Sequence, residues 1–186
     1  AVSKTFKMEH ILPLINYGHI DFGENKVQEA VDKWTELKKE NSSLRLHMIG
    51  KLQTNKVKYA VKLFDYIHSV DNEKLARKIL EEDQKINKKT KIFIQVNIGG
   101  EDQKSGVSII EAHKLVSYCK ELKLEVVGLM CIPPFDKDPT NYFKEMSKLN
   151  KDFGFSELSM GMSSDYLKAS QYSATYVRIG SSIFGQ

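Results

Sequence analysis

Tyr176-Val177-Arg178-Ile179-Gly180-Ser181-Ser182-Ile183-Phe184-Gly185 reads as a short buried strand running straight into a Gly-Ser-Ser turn. Gly180 permits close backbone approach, and Ser181 and Ser182 offer hydroxyls together with amide N–H groups. A turn of helix beginning at Ser181 would leave unpaired N–H groups suited to an anion. One strand earlier, Ser159-Met160-Gly161-Met162-Ser163-Ser164-Asp165 also ends in glycine and serines. Either stretch alone reads better as an ordinary turn with a helix cap. As a pair closing a regular strand series, they fit a phosphate site after the last two strands of a parallel α/β barrel.

The rest of the chain supplies that series. Strand patterns fall at 1–5, 19–23, 44–49, 66–70, 91–98 and 125–132, then before Ser163 and before Gly180. Between them lie seven helical patterns, such as Val27, Ala30, Val31, Trp34 and Leu37 on one face. Pro13 sits inside the first, where it predicts a kink or a late start. Asp71 is read as the cap of the fourth, Ser108 with Glu111 as a capping box, and Asp138-Pro139 as a helix start. Gly99 to Gly106 is a polar, flexible loop. Strict alternation predicts parallel βα units, and eight of them predict a closed (βα)8 TIM barrel, one domain over 1–186. The competing architecture is an open doubly wound sheet, but no glycine-rich fingerprint follows the first strand. At 186 residues the chain is short beside a typical barrel of roughly 250. The shortfall falls at its two ends.

Composition narrows the class. The chain is 41% hydrophobic and 28% charged, which suits a folded core with a solvated surface. No apolar run approaches the roughly 20 residues of a membrane span, and no signal-peptide pattern opens the sequence. Cys119 and Cys131 fall in helix and strand patterns and read as buried reduced thiols, which with the above points to a cytoplasmic protein. A net charge of +4 is too mild to indicate nucleic acid. Lys51, Lys56, Lys58 and Lys62 read as a solvated face that could also attract an anionic partner. His47 and His68 lie in strand patterns and read as hydrogen-bonded core histidines, and no metal-ligand spacing is present.

Closing the barrel brings the first strand, with Lys4, beside the segment from Arg178 to Ser182. A lysine next to an anion cradle points to a Schiff base with a phosphorylated aldehyde. The amine must be neutral to attack a carbonyl, and burial in the barrel mouth would favour that form. The alternative is a snorkelling surface lysine.

Five blocks carry a family resemblance: Ala1-Val2-Ser3-Lys4-Thr5, Asp21-Phe22-Gly23-Glu24-Asn25, His47 to Lys56, Ser159-Met160-Gly161-Met162-Ser163 and Arg178-Ile179-Gly180. In this order they resemble the YggS/PROSC family of pyridoxal phosphate homeostasis proteins, over essentially the whole chain. The resemblance implies a barrel like the N-terminal domain of alanine racemase, with pyridoxal 5'-phosphate (PLP) on the lysine matching Lys4. It implies phosphate contacts from Ser163, Gly180 and Ser181, with Ser182 added from the turn itself. It places an arginine, Arg178, near the pyridine nitrogen, and polar positions Asn25 and Asn55 around the pocket. Two departures stand out: the usual N-terminal helical segment is missing, and Leu46 replaces a common aromatic.

Two function classes follow. One is a PLP-dependent, racemase-like enzyme acting on amino acids. The other is a PLP carrier acting in homeostasis and delivery, with apo PLP-enzymes as possible partners and a monomer or weak dimer as its state. An arginine at the pyridine nitrogen weakens the ring as an electron sink. The sequence ends at Gln186, so no second domain is expected to supply an opposing acid-base group. Both features favour the carrier. A barrel enzyme acting on a phosphorylated metabolite without PLP would leave Lys4 unexplained.

Overall fold

The computed structural model describes residues 1–101 and 103–185. Asp102, within the loop expected over 99–106, and Gln186, the last residue of the expected domain, lie outside the described residues. Seven strands form one sheet in sequential order: β1 (Asp21–Glu24), β2 (Arg45–Met48), β3 (Tyr66–Val70), β4 (Lys91–Val96), β5 (Val126–Cys131), β6 (Glu157–Met162) and β7 (Tyr176–Arg178). Every neighbouring pair is parallel. Sequential order is the order of a barrel. A doubly wound sheet would reverse direction part-way.

The expected first strand survives only as a bridge. Val2 pairs in parallel with Gly23, and its N–H donates to the Ile179 carbonyl at 2.7 Å. Gly23 N–H donates to Ala1 O at 2.8 Å, and Ser3 N–H to Gly23 O at 3.0 Å. The segment thus bonds to β1 on one side and to the end of β7 on the other, and the barrel is nearly closed. Pairing stops there because the chain turns: Phe6 N–H donates back to Ser3 O at 3.1 Å.

Helices α1 (Met8–Asn16), α2 (Val27–Glu40), α3 (Val57–Leu63), α4 (Glu73–Lys85), α5 (Ile109–Glu121), α6 (Thr140–Asp152) and α7 (Tyr166–Ser170) alternate with the strands. A last turn, α8 (Ser181–Phe184), follows β7. Pro13 is accommodated inside α1, and Ser108 and Glu111 form the capping box of α5. The cap of α4 is Asn72 rather than Asp71: Asn72 Oδ1 accepts from Leu75 N–H at 2.8 Å. Asp71 instead accepts from Asn72 Nδ2 at 2.8 Å and from Gly106 N–H at 3.4 Å.

Strand parity builds two cores. Phe22, Leu46, Ile67, Ile92, Ile94 and Leu129 point outward and pack with Trp34, Phe64 and Phe143 beneath the helices. The intervening positions point inward, where Tyr66, Phe93 and Met130 pack with Tyr176. The imidazole of His47 stacks on Tyr66 at 4.4 Å and that of His68 on Phe93 at 4.3 Å.

Glu24, fully buried, ties the closing segment to α2. Its Oε1 accepts from Ser3 Oγ at 2.8 Å, Lys33 Nζ at 2.8 Å and Trp34 Nε1 at 2.9 Å. Truncating Trp34 removes both an aromatic from the outer core and one donor to a buried carboxylate. Trp34→Ala should therefore lose about 3–5 kcal/mol of stability. Denaturant unfolding followed by circular dichroism measures it, since Trp34 is the only tryptophan; a loss below about 1 kcal/mol would contradict this account.

Candidate functional site

The strand ends and the loops after them enclose a cavity of about 960 Å³. Six expected residues line it: Lys4, Asn25, Ser163, Arg178, Gly180 and Ser181. Asn55 and Ser182 do not. Asn55 is exposed in a 3-10 turn, Thr54–Lys56, and the wall after β2 is made by Gly50 and Lys51 instead. Ser182 lies one residue further around α8 than Ser181, on a solvent-exposed face.

Each wall residue has a local cause. Lys4 follows directly on Ser3, which is fully buried and pinned by Glu24 and by Lys33 Nζ donating to its carbonyl at 2.8 Å. Lys4 itself sits in a turn and is exposed, contrary to the burial expected at the barrel mouth. The reason is that the strand breaks before it instead of carrying it into the sheet. Asn25 is brought in by close contact with Gly50, where a Cβ would meet the Asn25 carbonyl at 2.3 Å. Only glycine fits that approach. The two Gly-Ser turns meet: Gly180 N–H donates to Ser163 Oγ at 3.2 Å.

Arg178 forms the floor, with 8% of its surface exposed. Its Nη1 donates to Ser159 Oγ at 2.7 Å and its Nη2 to the Cys131 carbonyl at 2.8 Å. Burial pushes the guanidinium pKa down from its usual value, opposed by Cys131 and Asp165. Burial drives the Cys131 thiol up to about 12, so it is no nucleophile here. Lys51 and Lys104 also reach the cavity, and among the described residues no acidic side chain lines it. Their sequence context, a solvated face for Lys51 and a polar loop for Lys104, does not by itself point to a site. Their positions after β2 and β4, on the face where barrel sites form, were the available signal. The whole wall favours an anion.

His47 and His68 are buried core histidines, as their strand patterns predicted. Burial lowers both pKa values, and for His68 the neighbouring His47 and Arg178 add to it.

Comparison with known proteins places this geometry. The family model described as "Alanine racemase, N-terminal domain" matches residues 1–186. A pyridoxal phosphate homeostasis protein of Aquifex aeolicus (strain VF5) is 40% identical over 100% of this chain and 85% of its own. Two structures of PipY from Synechococcus elongatus PCC7942 superpose closely. The one without PLP gives a TM-score of 0.94 at 33% identity, covering 100% of this chain and 91% of that one. The one with PLP bound gives 0.92 at 32%, with the same coverage. The fold and its mouth thus define a TIM-barrel-like protein of the alanine racemase N-terminal-domain type. Within that class, the chain belongs to the family of pyridoxal phosphate homeostasis proteins.

The buried histidines make stability depend on pH in a definite direction. Their folded pKa values lie below the unfolded value of about 6.5, so below that pH the unfolded chain binds more protons than the folded one. This contribution should be fully present near pH 7.5 and fall as the pH drops through 6.5 to 5. His68→Gln, which cannot titrate there, should flatten the decline. Melting temperatures at pH 5, 6 and 7.5 decide it, and equal slopes in both proteins would rule out His68 as a contributor.

Proposed function

We propose that this chain holds pyridoxal 5'-phosphate as a Schiff base on Lys4 and serves to store and deliver it in the cytoplasm, with little catalysis of its own. The observation carrying this is one cavity walled by Lys4, Arg178 and the joined Ser163–Gly180–Ser181 turns. The fit to the cofactor rests on that cradle. Gly180 packs against Val2 without a side chain, and the serines beside it, Ser163 and Ser181, bring hydroxyl donors to the same wall. Among the described residues, Lys4, Lys51, Lys104 and Arg178 line the wall and no carboxylate does, which suits a phosphate monoester. The names of the relatives and the PLP-bound PipY structure support the choice of ligand. Two unpaired buried cysteines support a reducing compartment.

Bound PLP supplies an aldehyde for imine formation and a pyridine ring that withdraws electrons. Lys4 supplies the amine, from an exposed turn that leaves it reachable. Ser163, Gly180 and Ser181 hold the phosphate, and Asn25 borders the same space. Arg178 gives N–H donors only, so at the ring nitrogen it would stabilise the unprotonated form and weaken the electron sink. That favours a carrier, with apo PLP-dependent enzymes as acceptors. The racemase-like alternative draws on the fold shared with alanine racemase of Clostridium difficile 630, but at 15% identity that likeness concerns the fold alone.

Borohydride reduction of the PLP-loaded protein, followed by peptide mass mapping, should place the pyridoxyl group on Lys4. Label on Lys51 or Lys104 instead would sink the assignment. Incubation with L-alanine should yield no D-alanine at enzymatic rates, while an apo PLP-enzyme offered the loaded protein should regain activity. Rapid racemisation without transfer would reverse the conclusion.

Phosphate anchoring should dominate affinity, since hydrogen bonds to a charged group each contribute roughly 1.5–3 kcal/mol. Pyridoxal, lacking the phosphate, should bind at least about tenfold more weakly than PLP. Equal affinities by spectrophotometric titration would refute the cradle.

A further inference from the structure

A line of polar side chains crosses the barrel interior from the cavity floor to the opposite rim. Arg178 Nη1 donates to Ser159 Oγ at 2.7 Å. Ser159 Oγ lies 2.9 Å from His68 Nδ1, and His68 Nε2 lies 3.0 Å from His47 Nδ1. His47 Nε2 lies 2.9 Å from Asp21 Oδ1. The inner four are buried, while Asp21, the first residue of β1, keeps 25% of its side chain exposed.

Counting protons fixes the direction of every bond. A guanidinium has donors only and a carboxylate acceptors only. The Asp21 carboxylate therefore accepts from His47 Nε2–H, and a neutral His47 must then accept at Nδ1. His68 donates to it from Nε2 and, neutral in turn, accepts at Nδ1. That proton comes from the Ser159 hydroxyl, whose oxygen accepts from Arg178. All four bonds run one way, from cation to carboxylate, through two neutral imidazoles in a single tautomer each. The ends agree with this reading. Although burial opposes it, hydrogen bonds from His47 and Arg45 bring the Asp21 carboxyl down to about 2, so it stays an acceptor. Stacking of His47 on Tyr66 and His68 on Phe93 restrains both rings from turning.

We propose that Asp21, His47, His68 and Ser159 are positioning residues for Arg178, a one-directional chain that holds its guanidinium against Ser159 and the Cys131 carbonyl and leaves its remaining donors for the cavity ligand. The ligand half of this statement rests on the reading that Arg178 meets the bound pyridine ring; the tautomers and the guanidinium's restraint do not.

Long-range ¹⁵N–¹H NMR spectra of the full chain at pH 7.5, without PLP, should show His47 and His68 both protonated on Nε2. Slowly rotating Arg178 Nη resonances should accompany them. An Nδ1-protonated or doubly protonated His68 would overturn the chain. His47→Phe keeps an aromatic ring on Tyr66 at a position that makes no hydrogen bond to Arg178 and does not line the large cavity. It should release the His68 tautomer into a mixture and average the Arg178 signals. Ser159→Ala removes one oxygen beside Arg178 and serves if His47→Phe does not fold; it should also average those signals. In PLP titrations Ser159→Ala should weaken binding about tenfold and His47→Phe about threefold, with a shifted absorption maximum of the bound cofactor. Arg45→Ala, which removes another partner of Asp21 but no bond of the chain, should leave tautomers and affinity as they were. Unchanged tautomers and Arg178 signals in both chain variants would reject positioning. Wild-type protein with these NMR features but no PLP binding would reject the cofactor reading and leave the chain standing.

Discussion

Barrel closure depends on three residues. A parallel sheet of seven strands has two edges with unpaired N–H and C=O groups, and Ala1, Val2 and Ser3 satisfy both by lying between β1 and the end of β7. A buried side-chain network reinforces these ladder bonds. At its centre is the buried carboxylate of Glu24, with one oxygen taking three donors from Ser3, Lys33 and Trp34. Among the described residues its second oxygen, Oε2, is buried without a hydrogen-bond partner. A charge so placed is costly unless it is paired, and Lys33 at 2.8 Å pairs it. The residue at which the closing segment leaves the sheet is Lys4. The closure of the fold and the placing of the amine are therefore one event.

A second constraint explains the polar interior. Fully covered parallel strands ordinarily read as continuous apolar runs, and the outward positions here obey that rule. The inward positions do not, because Arg178 must be held as a cation inside the barrel. A buried polar group is costly unless bonded, so each partner of Arg178 needs a partner of its own until the series ends at a solvated carboxylate. Ser159, His68, His47 and Asp21 are those successive partners. Tyr66, Phe93 and Tyr176 fill the space around them.

Much of this was legible in the sequence, for reasons that can be named. β3 was read at its exact residues because Tyr66 to Val70 is fully buried and flanked by an Asp on either side. The Gly-Ser turns were legible only as a pair closing the strand series, since either alone reads as an ordinary turn, and the 3.2 Å bond from Gly180 N–H to Ser163 Oγ joins them. The first strand was misjudged because propensity at Val2 and Ser3 does not reveal where pairing stops. Hence Lys4 was expected to be buried and is exposed. Asp71 and Asn72 are both good caps, and only the backbone geometry selects Asn72. Lys51 and Lys104 escaped because a lysine in a polar loop looks the same whether the loop faces a cavity or open solvent. The directed chain through His47 and His68 was invisible for a different reason. It joins residues as far apart as His68 and Ser159, and proton counting needs the partners in hand.

Gly180 is where these constraints meet. It ends β7, donates its N–H to Ser163 and lies against the segment that closes the barrel. A Cβ there would stand 3.3 Å from the Val2 carbonyl and 3.5 Å from Val2 Cβ. The first distance asks the neighbour to yield by only a few tenths of an ångström, so alanine costs little in space. A larger side chain must push further, and what it pushes is Val2, whose N–H bond to Ile179 seals the sheet at 2.7 Å. Moving Val2 moves Ser3 against Glu24 and Lys4 against the cavity. The seal of the sheet and the seat of the amine are thus set by one backbone position, two residues beyond the arginine that forms the floor.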